Sequence, residues 1–300
     1  MPRIKIDRLE FYITNVCNMT CSGCNRYNNY RFRGWQDWGH WEKNLESWAT
    51  KINITQPVIL GGEPLLNPTV VDWVKGLRKL WPPPGGVQIQ SNGTMIDRVK
   101  GLYEVLDGWN WIGISIHSQD DKEEIFNRIR NFLVHPIVET QDTTRVGSDY
   151  QFRDANNKHV HCWVSDKFVQ SNIIELGDNK LTVYNSDPAK AHDNCAFRKF
   201  KNYHWIKGKI YKCGPVALMP EFDQQHKFDI TNDDRTLMNS YHALSVDEFD
   251  TRGLNFFNTI DDVIPQCKFC PEEYIYKPIE FSGRKKSWKI STSKHKEIML

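Results

Sequence analysis

The sequence predicts an α/β fold whose strands run parallel and are joined by crossover helices. Short apolar runs alternate with longer amphipathic stretches through the first two-thirds of the chain, and four strand-then-helix units follow in succession. The chemically unusual segments also fall at the carboxyl ends of expected strands, where parallel α/β sheets gather their ligands. At 300 residues, 39% hydrophobic and 25% charged, the chain can bury the core of one large or about two ordinary domains.

Residues 8–16 (RLEFYITNV) read as the first strand, and a polar, aromatic loop with Gly34 occupies residues 25–37. Trp41, Leu45, Trp48 and Ile52 recur at helical spacing, which predicts a helix over 38–52. Residues 58–60 form a short buried strand that runs into Gly61-Gly62-Glu63-Pro64. Thr69 is placed to cap a helix through residue 81, and Pro82-Pro83-Pro84-Gly85-Gly86 ends it. The pattern repeats with a strand over 87–90 ending at Ser91-Asn92-Gly93-Thr94, and a helix over 96–107. A strand over 111–116 then ends at His117-Ser118, and a helix follows over 121–133. Residues 158–165 alternate as a strand, and 180–184 are expected to be the last strand of the sheet. From residue 190 the composition shifts toward lysine and aromatics, which divides the chain into 1–189 and 190–281. Residues 282–300 carry Arg284, Lys285, Lys286, Lys289, Lys294 and Lys296 against Glu297, and read as a solvated basic tail.

Lys and Arg total 39 against 37 Asp and Glu, so the net charge of +2 argues for neither a nucleic acid nor a membrane partner. No apolar run approaches the roughly eighteen residues of a membrane span. Residues 1–7 lack the apolar stretch of a signal peptide, which predicts a cytoplasmic chain. Eight cysteines are too few for a disulfide scaffold, and a reducing compartment would not keep them oxidised. They stand at 17, 21, 24, 162, 195, 213, 267 and 270, a distribution that points to metal or cluster binding.

Cys17, Cys21 and Cys24 put three thiols within eight residues after the first strand. A loop this short can wrap three thiolates around one corner of a cubane and leave the fourth iron open for a ligand. The same triplet could belong to a zinc site completed by a distant residue. Cys195 and Cys213 flank a predicted hairpin, residues 203–206 and 209–212 about a Lys207-Gly208 turn. Cys267 and Cys270 form a C-x2-C knuckle, so the four make a complete thiolate set for zinc or iron. Cys162 remains, either a buried small hydrophobe or, with Tyr184, a hydrogen-atom donor to a substrate radical. His117 is a substrate contact or a structural histidine. Trp35, Trp38, Trp41 and Trp48, with Tyr27, Tyr30, Arg31 and Arg33, either pack a helix or stack bases.

The C-x3-C-x2-C triplet followed by Gly61-Gly62-Glu63-Pro64 and Ser91-Asn92-Gly93-Thr94 resembles the radical S-adenosylmethionine (SAM) superfamily over residues 8–120. That resemblance implies a partial (β/α)6 TIM-type barrel with a 4Fe–4S cluster on Cys17, Cys21 and Cys24, whose free iron SAM chelates. It implies SAM contacts from Gly61, Gly62, Glu63 and Pro64, the SAM ammonium meeting Glu63 and backbone carbonyls, and from Asn92 and Ser115 at later strand ends. The glycines would let the backbone approach the ligand. The residue before the third cysteine, usually aromatic in that family, is Gly23 here, which leaves the adenine to Tyr27 or a loop aromatic. Cys195-x12-Gly208-x4-Cys213, with Cys267 and Cys270, resembles the twitch form of the SPASM extensions and implies a small C-terminal iron–sulfur unit with one auxiliary 4Fe–4S cluster. The implied activity is reductive cleavage of SAM to a 5′-deoxyadenosyl radical that abstracts hydrogen from a peptide or protein side chain. A low-potential donor such as flavodoxin or ferredoxin would supply the electron. A nucleoside or RNA substrate, or a non-catalytic zinc or iron–sulfur nucleic-acid-binding module, stand as alternatives.

Overall fold

A computed structural model of the chain describes residues 3–30, 32–82, 85–142, 149–165, 167–169, 171–178, 180–201, 203–273 and 276–280. Arg31 and the basic tail over 282–300 lie outside the described residues. The chain opens with the expected alternation: β1 (Ile4–Tyr12), α1 (Trp38–Lys51), β2 (Ile52–Leu60), α2 (Val70–Leu80), β3 (Gln88–Ser91), α3 (Leu102–Val105), β4 (Trp111–Ile116) and α4 (Lys122–Phe132). Strands β5 (Ile137–Asp142), β6 (Asp149–Asp154) and β7 (His159–Val164) follow, then β8 (Lys167–Val169), β9 (Ile173–Gly177) and β10 (Lys180–Val183). The remainder comprises α5 (Pro188–Asp193), α6 (Ala196–Phe200), β11 (Tyr203–Ile206), β12 (Lys209–Tyr211), α7 (Gly214–His226), α8 (Asn232–Asn239), β13 (Leu244–Ser245), α9 (Phe249–Thr259) and β14 (Tyr276–Pro278).

One sheet of ten strands organises the molecule, in the order β13-β12-β11-β1-β2-β3-β4-β7-β6-β5. Its six central strands, β11 through β7, are parallel, as expected for a partial TIM-type core, and the sheet is open at both ends among the described residues. Period-two alternation assigns its faces. Leu9, Phe11, Ile112, Ile114, Val160 and Cys162 point to one side and pack with Leu45, Trp48, Trp73, Leu77 and Ile129 of α1, α2 and α4. On the other side Tyr12, Val58, Leu60 and Ile206 pack with Leu218, Met219 and Phe222 of α7. Tryptophans build the first core: Trp38 and Trp48 are buried, and the Trp41 ring meets Trp205 edge-on at 5.5 Å.

Four expectations are corrected. The first strand starts at Ile4 and ends at Tyr12, because residues 13–16 leave β1 to run beside the loop after β2. The helix expected over 96–107 shrinks to α3: Gly101 sits at φ +82°, a left-handed conformation that interrupts a helix. Residues 180–184 do not close the main sheet. They form β10, an antiparallel partner of β9, drawn aside by Leu181 and Val183 in the second core and by Thr182 Oγ1 donating to Asp229 O at 2.9 Å. Thr69 makes no side-chain cap on α2, since its hydroxyl accepts from Trp38 N at 3.2 Å. The hairpin about Lys207-Gly208 forms as predicted, both turn residues having positive φ (48° and 82°). Its first strand joins β1 in parallel, with Leu9 opposite Tyr203 and Phe11 opposite Trp205, so the sheet is continuous across residue 190.

Candidate functional site

The cysteine loop is built on the glycine loop. Beyond β1 and β2 the two backbones continue as a ladder, with Gly62 N donating to Thr14 O at 2.7 Å and Glu63 N to Val16 O at 2.8 Å. A Cβ at Gly61 would lie 2.5 Å from Thr14 O, and one at Gly62 would lie 2.3 Å from Val16 O. The approach of the cysteine loop is therefore enough by itself to demand glycine at both positions. The loop after β3 fastens the same segment: Asn18 Nδ2 donates to Thr94 Oγ1 at 2.7 Å, and Asn92 Nδ2 to Asn18 Oδ1 at 2.9 Å.

Cys17, Cys21 and Cys24 line one cavity of about 160 Å³, together with Gly61, Gly62, Asn92 and Ser115. Burial pushes all three thiols up from the ordinary value, so they stay protonated unless a bound cation stabilises their thiolates. Ser115 Oγ accepts from Gln90 Nε2 at 3.0 Å. His117 also lines the cavity; its Nδ1 lies 3.2 Å from Ser165 O and its ring meets Phe168 edge-on at 4.9 Å. Phe168, which sequence reasoning missed, lies against Gly23: a Cβ there would sit 3.8 Å from Phe168 Cβ. It is the ring beside the position where an aromatic was expected, and no local pattern announces it. Tyr27 is fully buried in the second core, its hydroxyl donating to Asn172 Oδ1 at 2.9 Å, and does not line the cavity.

Glu63 is fully buried behind the cavity wall and is not brought to the ligand side. Its Oε1 accepts from Ser91 Oγ at 2.8 Å and Leu65 N at 3.0 Å, and its Oε2 from Asn92 N at 2.7 Å. It therefore ties the loop after β2 to the end of β3, while Pro64 opens the short 3-10 turn Pro64–Leu66. Burial raises its carboxyl to about 7 in spite of those donors. Between about 4.5 and 7 the folded chain keeps a proton the unfolded chain has lost, so stability falls as pH rises through that interval. Glu63→Gln is expected to flatten that slope in denaturant titrations. It should also cost about 1–3 kcal/mol, because an amide nitrogen then faces a donor.

Beneath the cavity, Glu10 accepts from Arg26 Nη2 at 3.1 Å and stands 3.0 Å from His204 Nε2, with Arg8 at 3.3 Å. Burial would raise its carboxyl, but His204, Arg26 and Arg8 outweigh burial and hold it at about 2. The stability this supplies is complete above about 4.5 and is lost as pH falls toward 2. Glu10→Gln is expected to lower unfolding free energy by about 3–5 kcal/mol at neutral pH, measured by denaturant titration, because it strands buried cations. A change below about 1 kcal/mol would contradict the ion-pair account.

The second cysteine set also converges. Cys195, Cys213, Cys267 and Cys270 line one cavity of about 30 Å³ with His192 and Lys212. Cys195 precedes α6, Cys213 precedes α7, and the knuckle lies on the 3-10 turn Pro265–Phe269 and its C-cap. Cys162 is fully buried between sheet and helices, lines neither cavity, and is thereby removed from the catalytic candidates; Tyr184, just past β10, lines neither cavity as well. Among the described residues no helix is long and apolar enough to cross a membrane.

Residues 11–159 match the family model described as the radical SAM superfamily. None of the curated proteins matches the chain. A solved structure described as native anSMEcpe with bound AdoMet and Cp18Cys peptide aligns with a TM-score of 0.32 and 17% identity, over 44% of this chain and 40% of that one. The chain thus spans well under half the length of that structure.

Proposed function

We propose, from the match of residues 11–159 to the radical SAM superfamily model, that the protein reductively cleaves SAM and uses the resulting 5′-deoxyadenosyl radical on a peptide or protein side chain. The observation that carries this reading is the gathering of Cys17, Cys21 and Cys24 around one cavity with Gly61, Gly62, Asn92 and Ser115. Among the described residues, no three His, Cys, Asp or Glu side chains converge as ligands of a single ion would. Thiols spread around a cavity suit a cubane, which takes each thiolate on a separate iron.

In this reading Cys17, Cys21 and Cys24 would hold a 4Fe–4S cluster through their thiolates, with SAM bound in the same cavity. When bound, the cluster supplies the electron that cleaves SAM, drawn from a low-potential donor such as flavodoxin or ferredoxin. The chain's own residues bind, orient and exclude water. The carbonyls of Gly61 and Gly62 offer acceptors for an ammonium, Asn92 and Ser115 offer polar contacts, and Phe168 and His117 wall the cavity. Glu63 acts from behind by fixing Asn92. Cys195, Cys213, Cys267 and Cys270 hold an auxiliary 4Fe–4S cluster in the extension over 190–281.

A surface for substrate adjoins the cavity. The C-terminal helices cover the β1, β2 and β11 side of the sheet and leave partly buried Gln90, Trp111, Ser115, His161 and Trp163 on β3, β4 and β7. Trp38 and Trp48 are buried in the first core and Trp41 packs against it, which supports the helix-packing reading of those rings over base stacking. Anaerobic reconstitution tests the reading: about eight irons per chain and release of 5′-deoxyadenosine on reduction with SAM are expected. Two zincs per chain, or no release from iron-loaded protein, would overturn it.

A further inference from the structure

We infer that His192 belongs to the C-terminal four-cysteine centre, donating a hydrogen bond from Nε2 to a thiolate sulfur and leaving the iron to the cysteines. This rests on the proposed reading of Cys195, Cys213, Cys267 and Cys270 as cluster ligands. His192 lines the same cavity of about 30 Å³ as those four thiols and is 4% exposed. Its Nε2 is buried and has no hydrogen-bond partner among the described residues. An unpaired buried polar atom costs about 1–3 kcal/mol, and folds that keep one commonly reserve it for a bound group.

The surroundings fix the imidazole from two directions. Asp187 caps α5 by accepting from Ala189 N at 2.8 Å and Lys190 N at 3.1 Å, which sets the helix whose last turn carries His192. Cys195 N then donates to His192 O at 3.1 Å, so ring and thiol leave one tight turn. Across the cavity Lys212 Nζ donates to the carbonyls of Ile260 and Asp262, each at 2.6 Å, and the backbone of Asp261 between them engages the His192 ring. One short loop thus steadies both nitrogen-bearing side chains against the thiols. Four cysteines already give each iron of a cubane its ligand, so no corner remains for an imidazole. A donor aimed at sulfur favours the more negative, reduced state of the centre and so raises its potential.

The test uses a background in which Cys17, Cys21 and Cys24 are all alanine, which leaves the C-terminal iron to be titrated alone. His192→Leu is expected to disfavour reduction about tenfold, a drop of about 59 mV for a one-electron couple. His192→Gln, which keeps a donor, should stay near the parent. Pulsed paramagnetic resonance of the reduced centre should show a weak nitrogen coupling that the Leu variant loses. An unchanged potential in His192→Leu, or a coupling as strong as direct nitrogen ligation, overturns the assignment while sparing the cluster reading. A folded background that holds zinc or no iron overturns both. Titration of the intact chain, with the two centres told apart by their resonance signals, serves if the background fails to fold.

Discussion

Replacing any one of Cys17, Cys21 or Cys24 with alanine should abolish release of 5′-deoxyadenosine while the C-terminal iron stays in place. The expected loss is on the order of 10³-fold or more, about 4 kcal/mol of lost catalysis. It is so large because, in the proposed reading, each thiolate holds a different iron, so that removing one leaves an iron without its protein ligand. Iron content should fall by about half, from about eight toward four per chain. Cys162→Ala supplies the contrast: its thiol is fully buried in the core, so the change should cost about 1–2 kcal/mol of stability and leave release intact. Release that survives in the triplet variants would end the cluster assignment. Release lost in a folded Cys162→Ala would restore that residue to the site.

Gly62→Ala is expected to be the most damaging single methyl near the site. Its Cβ would fall 2.3 Å from Val16 O and 2.7 Å from Val16 C, with Asn28 Nδ2 at 2.8 Å. Backbone atoms cannot rotate away, so the cysteine loop itself must move and the 2.8 Å bond from Glu63 N to Val16 O must stretch. A cost of about 3 kcal/mol in unfolding free energy is expected, together with poor iron incorporation. Gly177→Ala is the matched control. Gly177 has φ +89° with nothing within 4 Å of its added Cβ, so the change should cost only about 1–2 kcal/mol of backbone strain and leave iron loading unaffected. Equal iron loading in Gly62→Ala and the parent would sink the account of how the two loops are braced.

What the sequence disclosed and what it withheld divide by chain distance. The triplet Cys17, Cys21 and Cys24 and the strand-end position of Gly61-Gly62-Glu63-Pro64 were legible because spacing and apolar periodicity are local signals. The reason for the glycines was not, because the atoms that exclude a side chain belong to Thr14 and Val16, more than forty residues away. Glu63 was recognisable as unusual, but its partners Ser91 and Asn92 lie on another strand, so its turn inward to a structural bond could not be foreseen. Phe168 carries no pattern at all and reaches the cavity only through tertiary folding. The pairing of β11 with β1 spans nearly two hundred residues and contradicts the simple expectation that β10 would finish the sheet.

That pairing bears on how the molecule is made. As the chain emerges from its amino end, β1 acquires β2 early but keeps a bare row of backbone donors and acceptors until residues 203–206 exist. Nearly two hundred further residues are made with one edge of that strand open to whatever extended segment it meets first. Closure then depends on a contact of very high sequence separation, which slows the final folding step. The hairpin that covers this edge leads straight into Cys213 at the start of α7, so its docking also sets the backbone that carries one thiol of the second set. Covering the open edge of β1 and fixing the backbone at Cys213 are one late event, while β13, Cys267 and Cys270 are still to come.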